Sequence, residues 1–151
     1  MWADPRVVRY IGGKPSTRAE SWSRLARYVG LWSLLGFGYW AVEDKATGAY
    51  VGDVGFMDAL RDIEPSIAGL PEAGWVLSPA FHGRGYAREA LAAALDWCDG
   101  TLPPTRIAAL IACDHVRSMR LGRAFGFTTT HTIDFGGVPT HVLFRERAAP
   151  Q

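Results

Sequence analysis

E-A-G-W-V-L-S-P-A-F-H-G-R-G-Y-A-R-E-A-L, residues 72–91, divides into three parts of different character. The first, 72–77, is a short run carrying Trp75, Val76 and Leu77 and stopped by Ser78-Pro79, which predicts a strand. A loop with glycines at 83 and 85 follows. From Ala87 onward, Leu91, Ala94, Leu95 and Cys98 recur at helical spacing, which predicts an amphipathic helix closed by Gly100. Strand, glycine loop and helix together aim backbone N–H groups at an anion, because the first amides of a helix lack intrahelical partners and carry a partial positive charge. Glycine at 83 and 85 lets a phosphate approach without a Cβ in the way. The stretch therefore points to a phosphate-bearing ligand, held on the amides of Arg84, Gly85, Tyr86 and Ala87.

Two common phosphate loops fail on specific residues. A P-loop needs a Lys after its last glycine, and none stands here. A dinucleotide fingerprint needs Gly or Ala where Arg88 stands, and an acidic residue about twenty positions on, where the chain has Arg106 and Ile107. His82-Gly83-Arg84-Gly85-Tyr86-Ala87 instead resembles the acyl-CoA loop of the GNAT superfamily of N-acetyltransferases. That pattern is Arg or Gln, two residues, Gly, one residue, then Gly or Ala. Gly85 and Ala87 match it, and His82 replaces the Arg or Gln.

Composition sets outer bounds. A chain of 151 residues is expected to form one domain, burying about 70% of its unfolded surface. A net charge of +1 gives no sign of a nucleic-acid binder. No apolar run is long enough to span a membrane, and Met1-Trp2-Ala3-Asp4 lacks the basic start of a signal peptide. Cys98 and Cys113 fall on predicted apolar faces without metal-ligand spacing, which suggests reduced core thiols in a cytoplasmic protein. His131 and His141 likewise lack metal spacing, so no metal is expected.

Taken in order, Asp4 and Pro5 are the N-cap and first turn of a short helix. Thr17 and Glu20 have the capping-box spacing, and Trp22, Leu25, Val29 and Trp32 recur every three or four residues, predicting a helix over 17–35; Trp22, Trp32 and Trp40 read as core rather than pocket residues. Residues 39–43 and 50–57 read as a hairpin about a turn at 45–48, and 58–71 as an unpatterned charged loop. After Pro103-Pro104, Ile107-Ala108-Ala109-Leu110-Ile111-Ala112 is apolar on both faces, as in a buried strand parallel to 75–77. A helix then opens at Asp114 or His115 and runs to about Phe125, with Gly126 just past its end. Residues 128–135 and 140–145 make a final hairpin about Gly136-Gly137. Asp134 reads as a solvated strand position, and 146–151 as a loose tail. The fold class is α/β (α+β): a mixed, mostly antiparallel twisted sheet flanked by helices.

The second half extends the resemblance. Its GNAT counterpart is Asn-x-x-Ser, a helix, then Gly-Phe; Ser118 and Gly126-Phe127 stand at that spacing, with His115 in the Asn position. The hairpin at 38–55, the segment 5–11 and Glu72-Ala73-Gly74-Trp75 also look like the family. Together they are most similar to its Rim-type branch, which acetylates protein N-termini and has relatives acting on small amines. The resemblance covers nearly the whole chain. It implies acetyl-CoA as co-substrate, an amine acceptor, and direct attack in a ternary complex. Members of the branch usually carry another strand before the segment equivalent to Asp4. Without it, 39–43 would be a sheet edge, which a partner subunit could cover, as in a homodimer.

Amide formation from a thioester needs a neutral amine, a polarised carbonyl and a proton for the leaving thiolate. Glu72, beside the loop and matching a Rim-type Glu, is the candidate base; a solvated strand-end carboxylate is the plain alternative. A strand amide at Val76 or Leu77 would polarise the carbonyl. Ser118 is the acid that the resemblance implies, although Ser in a first helical turn also serves local backbone bonding. Arg123, in a stripe with Arg117 and Arg120, is the candidate for the nucleotide phosphates, and a solvated helix face is the alternative. His82 and His115 complete the cofactor-site candidates. A non-catalytic acyl-CoA-binding or interaction module is the rival reading of the same fold.

Overall fold

A computed structural model of the protein describes residues 1–103 and 105–147. The expectation of a loose tail at 146–151 falls partly outside these residues. Backbone hydrogen bonds join six strands in the order β1-β2-β3-β4-β6-β5: Tyr39–Glu43, Tyr50–Met57, Glu72–Leu77, Ile107–Ala112, Val138–Arg145 (β6) and Thr128–Phe135 (β5). The chain gathers into two compact units, Met1–Met57 with Trp75–Leu91, and Asp58–Gly74 with the chain from Ala92 onward.

In the first unit, α1 (Pro5–Val8) starts as expected, with the Asp4 carboxylate accepting from the Arg6 amide and Pro5 in the first turn. α2 (Arg18–Leu35) has its full capping box: the Thr17 hydroxyl accepts from the Glu20 amide, and the Glu20 carboxylate from the Thr17 amide. Its packing face departs from the expected one. No residue of α2 is buried, and Trp22 and Val29 are 69% and 65% exposed. The inward stripe is Arg24, Tyr28 and Trp32, four apart. Tyr28 stacks on Tyr39 at 4.6 Å, while Trp32 meets Trp40 edge-on and donates to the Tyr39 carbonyl at 3.0 Å. Tyr28 and Trp32 are the side chains of this face that find ring and carbonyl partners on β1, and their polar edges are satisfied by Asp53 and the Tyr39 carbonyl. Of the three tryptophans placed in the core, Trp22 is therefore a surface residue, and Trp32 and Trp40 are half-buried.

Asp53, only 6% exposed, ties this unit together. Its carboxylate accepts from the Trp2 indole at 3.0 Å, the Tyr50 hydroxyl at 2.5 Å and the Tyr28 hydroxyl at 3.4 Å. Burial, with this carboxylate alongside, pushes both phenols above their usual range. β1 and β2 pair antiparallel, and the turn between them is closed by Asp44, which accepts from the amides of Ala46 and Thr47.

In the second unit, β4 is buried along almost its whole length, as its apolar run predicts, and pairs antiparallel with β6. It is parallel to β3, as expected, with Ala108 paired to Glu72 at the start of that strand. β5 and β6 turn on Gly136 and Gly137 at φ 62° and 83°, the left-handed pair of a two-residue hairpin. Asp134 is less idle than expected: its carboxylate accepts from the Gly137 amide and closes that turn. The segment 58–71 has no regular element, yet Ile67 is buried against Ala108, Val142 and Phe144, with Ile63 and Leu70 packed beside it.

α3 (Tyr86–Thr101) does not end at Gly100. Arg147 caps it instead, donating to the carbonyls of Cys98 at 2.7 Å and Leu102 at 3.1 Å while bonding Asp99 at 2.7 Å. Cations at a helix C-terminus satisfy the orphan carbonyls and complement the dipole, so a glycine stop is unnecessary. α4 (Val116–Ala124) closes as read: the amides of Gly126 and Phe127 bond the carbonyls of Arg123 and Gly122, with Gly126 at φ 85°. Cys98 is a buried thiol whose pKa burial pushes up, whereas Cys113 is only partly covered.

Candidate functional site

The loop between β3 and α3 has the backbone expected of an anion cradle. After a 3-10 turn, Pro79–Phe81, Gly83 and Gly85 adopt φ of 74° and 87°, in the left-handed region that glycine tolerates. A Cβ placed on either would meet nothing within 4 Å, so the space before the loop is open. The Gly85 carbonyl accepts from the Glu89 amide at 3.0 Å and begins the helix. Helix geometry then leaves the amides just past Gly85 without intrahelical acceptors. The loop thus fits a pyrophosphate by backbone alone.

Its side chains stiffen it. The Arg84 guanidinium lies 5.5 Å from the Phe81 ring centre and 5.2 Å from that of Tyr86, and the two rings meet edge-on. The Tyr86 hydroxyl donates to the Asp44 carboxylate in the β1–β2 turn, an anchor that nothing in the sequence pattern marked. That bond holds the Asp44 carboxyl below its usual range and pushes the Tyr86 phenol up. His82, considered for the phosphate, has its Nε2 2.9 Å from the Leu77 carbonyl. A carbonyl only accepts, so this nitrogen donates, and the ring fastens the loop to the end of β3. Val76 is half-buried and Leu77 buried; the Ser78 amide donates to the Val51 carbonyl at 2.8 Å.

The remaining candidates lie in the second unit. Glu72 is 5% exposed, which removes the solvated strand end as a description. Its two oxygens accept from Arg61 Nε at 2.6 Å and Nη2 at 2.8 Å, a two-pronged ion pair. Arg61 was missed, because a single cation eleven residues upstream in an unpatterned loop gives no spacing signal. His115 is the N-cap of α4 without a side-chain capping bond, and Ser118 lies in its first turn, half-buried. Arg117, Arg120 and Arg123 are exposed. Among the described residues, no group of three or more His, Cys, Asp or Glu could hold a metal ion, and no helix is long and apolar enough to cross a membrane.

The model of the GNAT acetyltransferase domain matches residues 1–128, most of the chain. The chain belongs to the GNAT acetyltransferase family. This GNAT domain is 31% identical to a protein from Bordetella pertussis assigned to the GnaT acetyltransferase family. The two structures superpose with a TM-score of 0.85 over 95% of this chain and 86% of that one. It is 28% identical to the uncharacterized protein YkkB of Bacillus subtilis, over 97% of this chain and 82% of the relative. A phosphinothricin acetyltransferase from Sinorhizobium meliloti, solved with AcCoA, shares the fold at a TM-score of 0.72 and 22% identity, over 96% of this chain and 80% of that one.

Proposed function

We propose that this GNAT acetyltransferase transfers the acetyl group of acetyl-CoA to a primary amine, a protein N-terminus or a small amine, by direct attack. The observation that carries the reading is the left-handed Gly83 and Gly85 opening onto the first turn of α3, a backbone cradle for a pyrophosphate. The amides of Arg84, Gly85, Tyr86 and Ala87 hold the diphosphate, and Arg123 adds a cation to the nucleotide end. His82 serves by fixing the loop, and His115 by starting the helix that carries Ser118.

In the reaction the ammonium proton passes to Glu72, directly or through water. The freed nitrogen lone pair forms the C–N bond while an amide of β3, at Val76 or Leu77, stabilises charge on the carbonyl oxygen. The C–S bond breaks, sulfur keeps the electron pair, and Ser118 gives it a proton, regaining one from the nitrogen through solvent. Glu72 retains capacity for its part. An ionised carboxylate has about four lone-pair sites, and Arg61 takes one on each oxygen.

The choice of acceptor is expected to be shaped by the region 17–37. Beside this region, a cavity of ≈ 460 Å³ is lined by Lys14, Ser16, Glu20, Arg24 and Arg27 among others. Thiol release from acetyl-CoA, measured with a panel of small amines and N-terminal peptides, tests the proposal. Turnover with an amine is expected. Saturable CoA binding without turnover on any acceptor would instead make the protein a binding module.

A further inference from the structure

The unpatterned segment 58–71 delivers a cation to the candidate base, and the delivery is built rather than incidental. Ile67 is 2% exposed in the core beside β4 and β6, and Ile63 and Leu70 pack against that cluster. The Asp58 carboxylate accepts from the Gly69 amide at 2.9 Å and draws the two ends of the segment together. From this anchored loop Arg61 places its guanidinium on Glu72 with both prongs, its side chain only 23% exposed and that of Glu72 only 7%. The same guanidinium lies 4.9 Å from the ring centre of Phe135, at the tip of the β5–β6 hairpin. A planar cation gripped by a carboxylate on its edge and lying over an aromatic ring has little rotational freedom.

We propose that Arg61 is a positioning residue for acetyl transfer: through its two-pronged bond it fixes the plane of the Glu72 carboxylate, so that the remaining lone pairs point one way. The inference rests on the reading of Glu72 as the base. A buried carboxylate without this partner would rotate or draw in water, and small misplacements of a reacting group cost up to about a hundredfold in rate. Lysine replaces the fork only in part, since its ammonium is a point charge with rotatable donors and does not fix the plane of the carboxylate.

The test is a double-mutant cycle on kcat with acetyl-CoA and two probe acceptors, an alanine-initiated peptide and a linear diamine. Arg61→Ala is expected to lower kcat about 10- to 100-fold, with the KM for acetyl-CoA nearly unchanged and Arg61→Lys in between. In the Glu72→Gln background, Arg61→Ala should cost nothing more. Added guanidinium should restore part of the rate to Arg61→Ala and none to the double variant, a recovery that a merely structural arginine would not show. Circular dichroism and melting confirm that each variant folds, and Arg61→Lys carries the test where Arg61→Ala does not. Full activity of Glu72→Gln, or no turnover by the parent, sinks the base and this inference with it. An impaired Glu72→Gln beside a fully active Arg61→Ala, or additive losses in the double variant, overturns the role of Arg61 alone.

Discussion

Glu72 and Ser118 are assigned to different protons, so their removal should leave different signatures. Glu72→Gln keeps the shape but cannot accept a proton; turnover should fall most near pH 7 and recover partly at higher pH, where more acceptor amine is already neutral. Ser118→Ala removes the donor to the departing sulfur, and raising the pH supplies no substitute, so its defect should persist or deepen. Losses of about ten- to a thousandfold are usual for positioned acid–base groups. The chemical step must be followed before steady state across pH, because slow product release would hide both effects. A Glu72→Gln enzyme fully active at pH 7, with chemistry rate-limiting, would return the base to water or to the acceptor. Sequence reasoning put Glu72 at the start of a strand but could not see its environment. The partner, Arg61, lies in a segment without periodicity, and only the burial of Ile67 reveals that the segment is fixed. His82 shows the converse: loop position suggested an anion ligand, whereas the ring bonds a carbonyl five residues back.

Among the elements, the loop before α3 was legible because glycine at 83 and 85 has one economical explanation, and both residues adopt positive φ. Since the cradle is backbone, Arg84→Ala should weaken CoA binding only mildly, its guanidinium resting on Phe81 and Tyr86. Gly85→Val should weaken it severely, for a β-branched residue is strained at φ 87° and its methyls would fill the open side of the loop. Calorimetry with CoA distinguishes these outcomes, and equal affinity of Gly85→Val and the parent would remove the loop from the site. Helix starts were legible for a similar reason, since Asp4-Pro5 and Thr17–Glu20 are local devices and both caps form. Faces and ends set by distant residues were not. The stripe 22, 25, 29, 32 of α2 has the right period, but of its members only Trp32 turns inward, bonding the Tyr39 carbonyl, and Tyr28, stacked on Tyr39, joins it in place of the others. Gly100 looked like a stop because Arg147, 47 positions on, gave no local hint that it would cap the helix.

At the scale of the molecule, both hairpins and the parallel β3–β4 pair could be read from alternation and turn chemistry, but the order of the last two strands could not. β6 lies between β4 and β5. The reason is visible afterwards in composition: Val142, Leu143 and Phe144 are buried, whereas β5, rich in Thr, is exposed along nearly all its length. The two strands that end the sheet differ in the same way. β5 presents Thr128 to Thr132 and a register shift between Thr129 and His131, features that discourage further pairing. β1 presents Tyr39, Trp40, Ala41 and Val42, with its own shift only at Val42/Glu43. In the same unit Trp22, Leu25, Val29 and Leu34 stand exposed on α2. A strand of apolar composition at the end of a sheet is a template for another strand, so the protein is expected to self-associate with rising concentration. Light scattering over a concentration series should show a dimer or larger species. Ala41→Lys, which puts a charge on an exposed position of that edge, should move the equilibrium towards monomer without changing the melting temperature measured in dilute solution. A parent protein that stays a monodisperse monomer at high concentration would show that the β1 edge recruits no partner of its own kind.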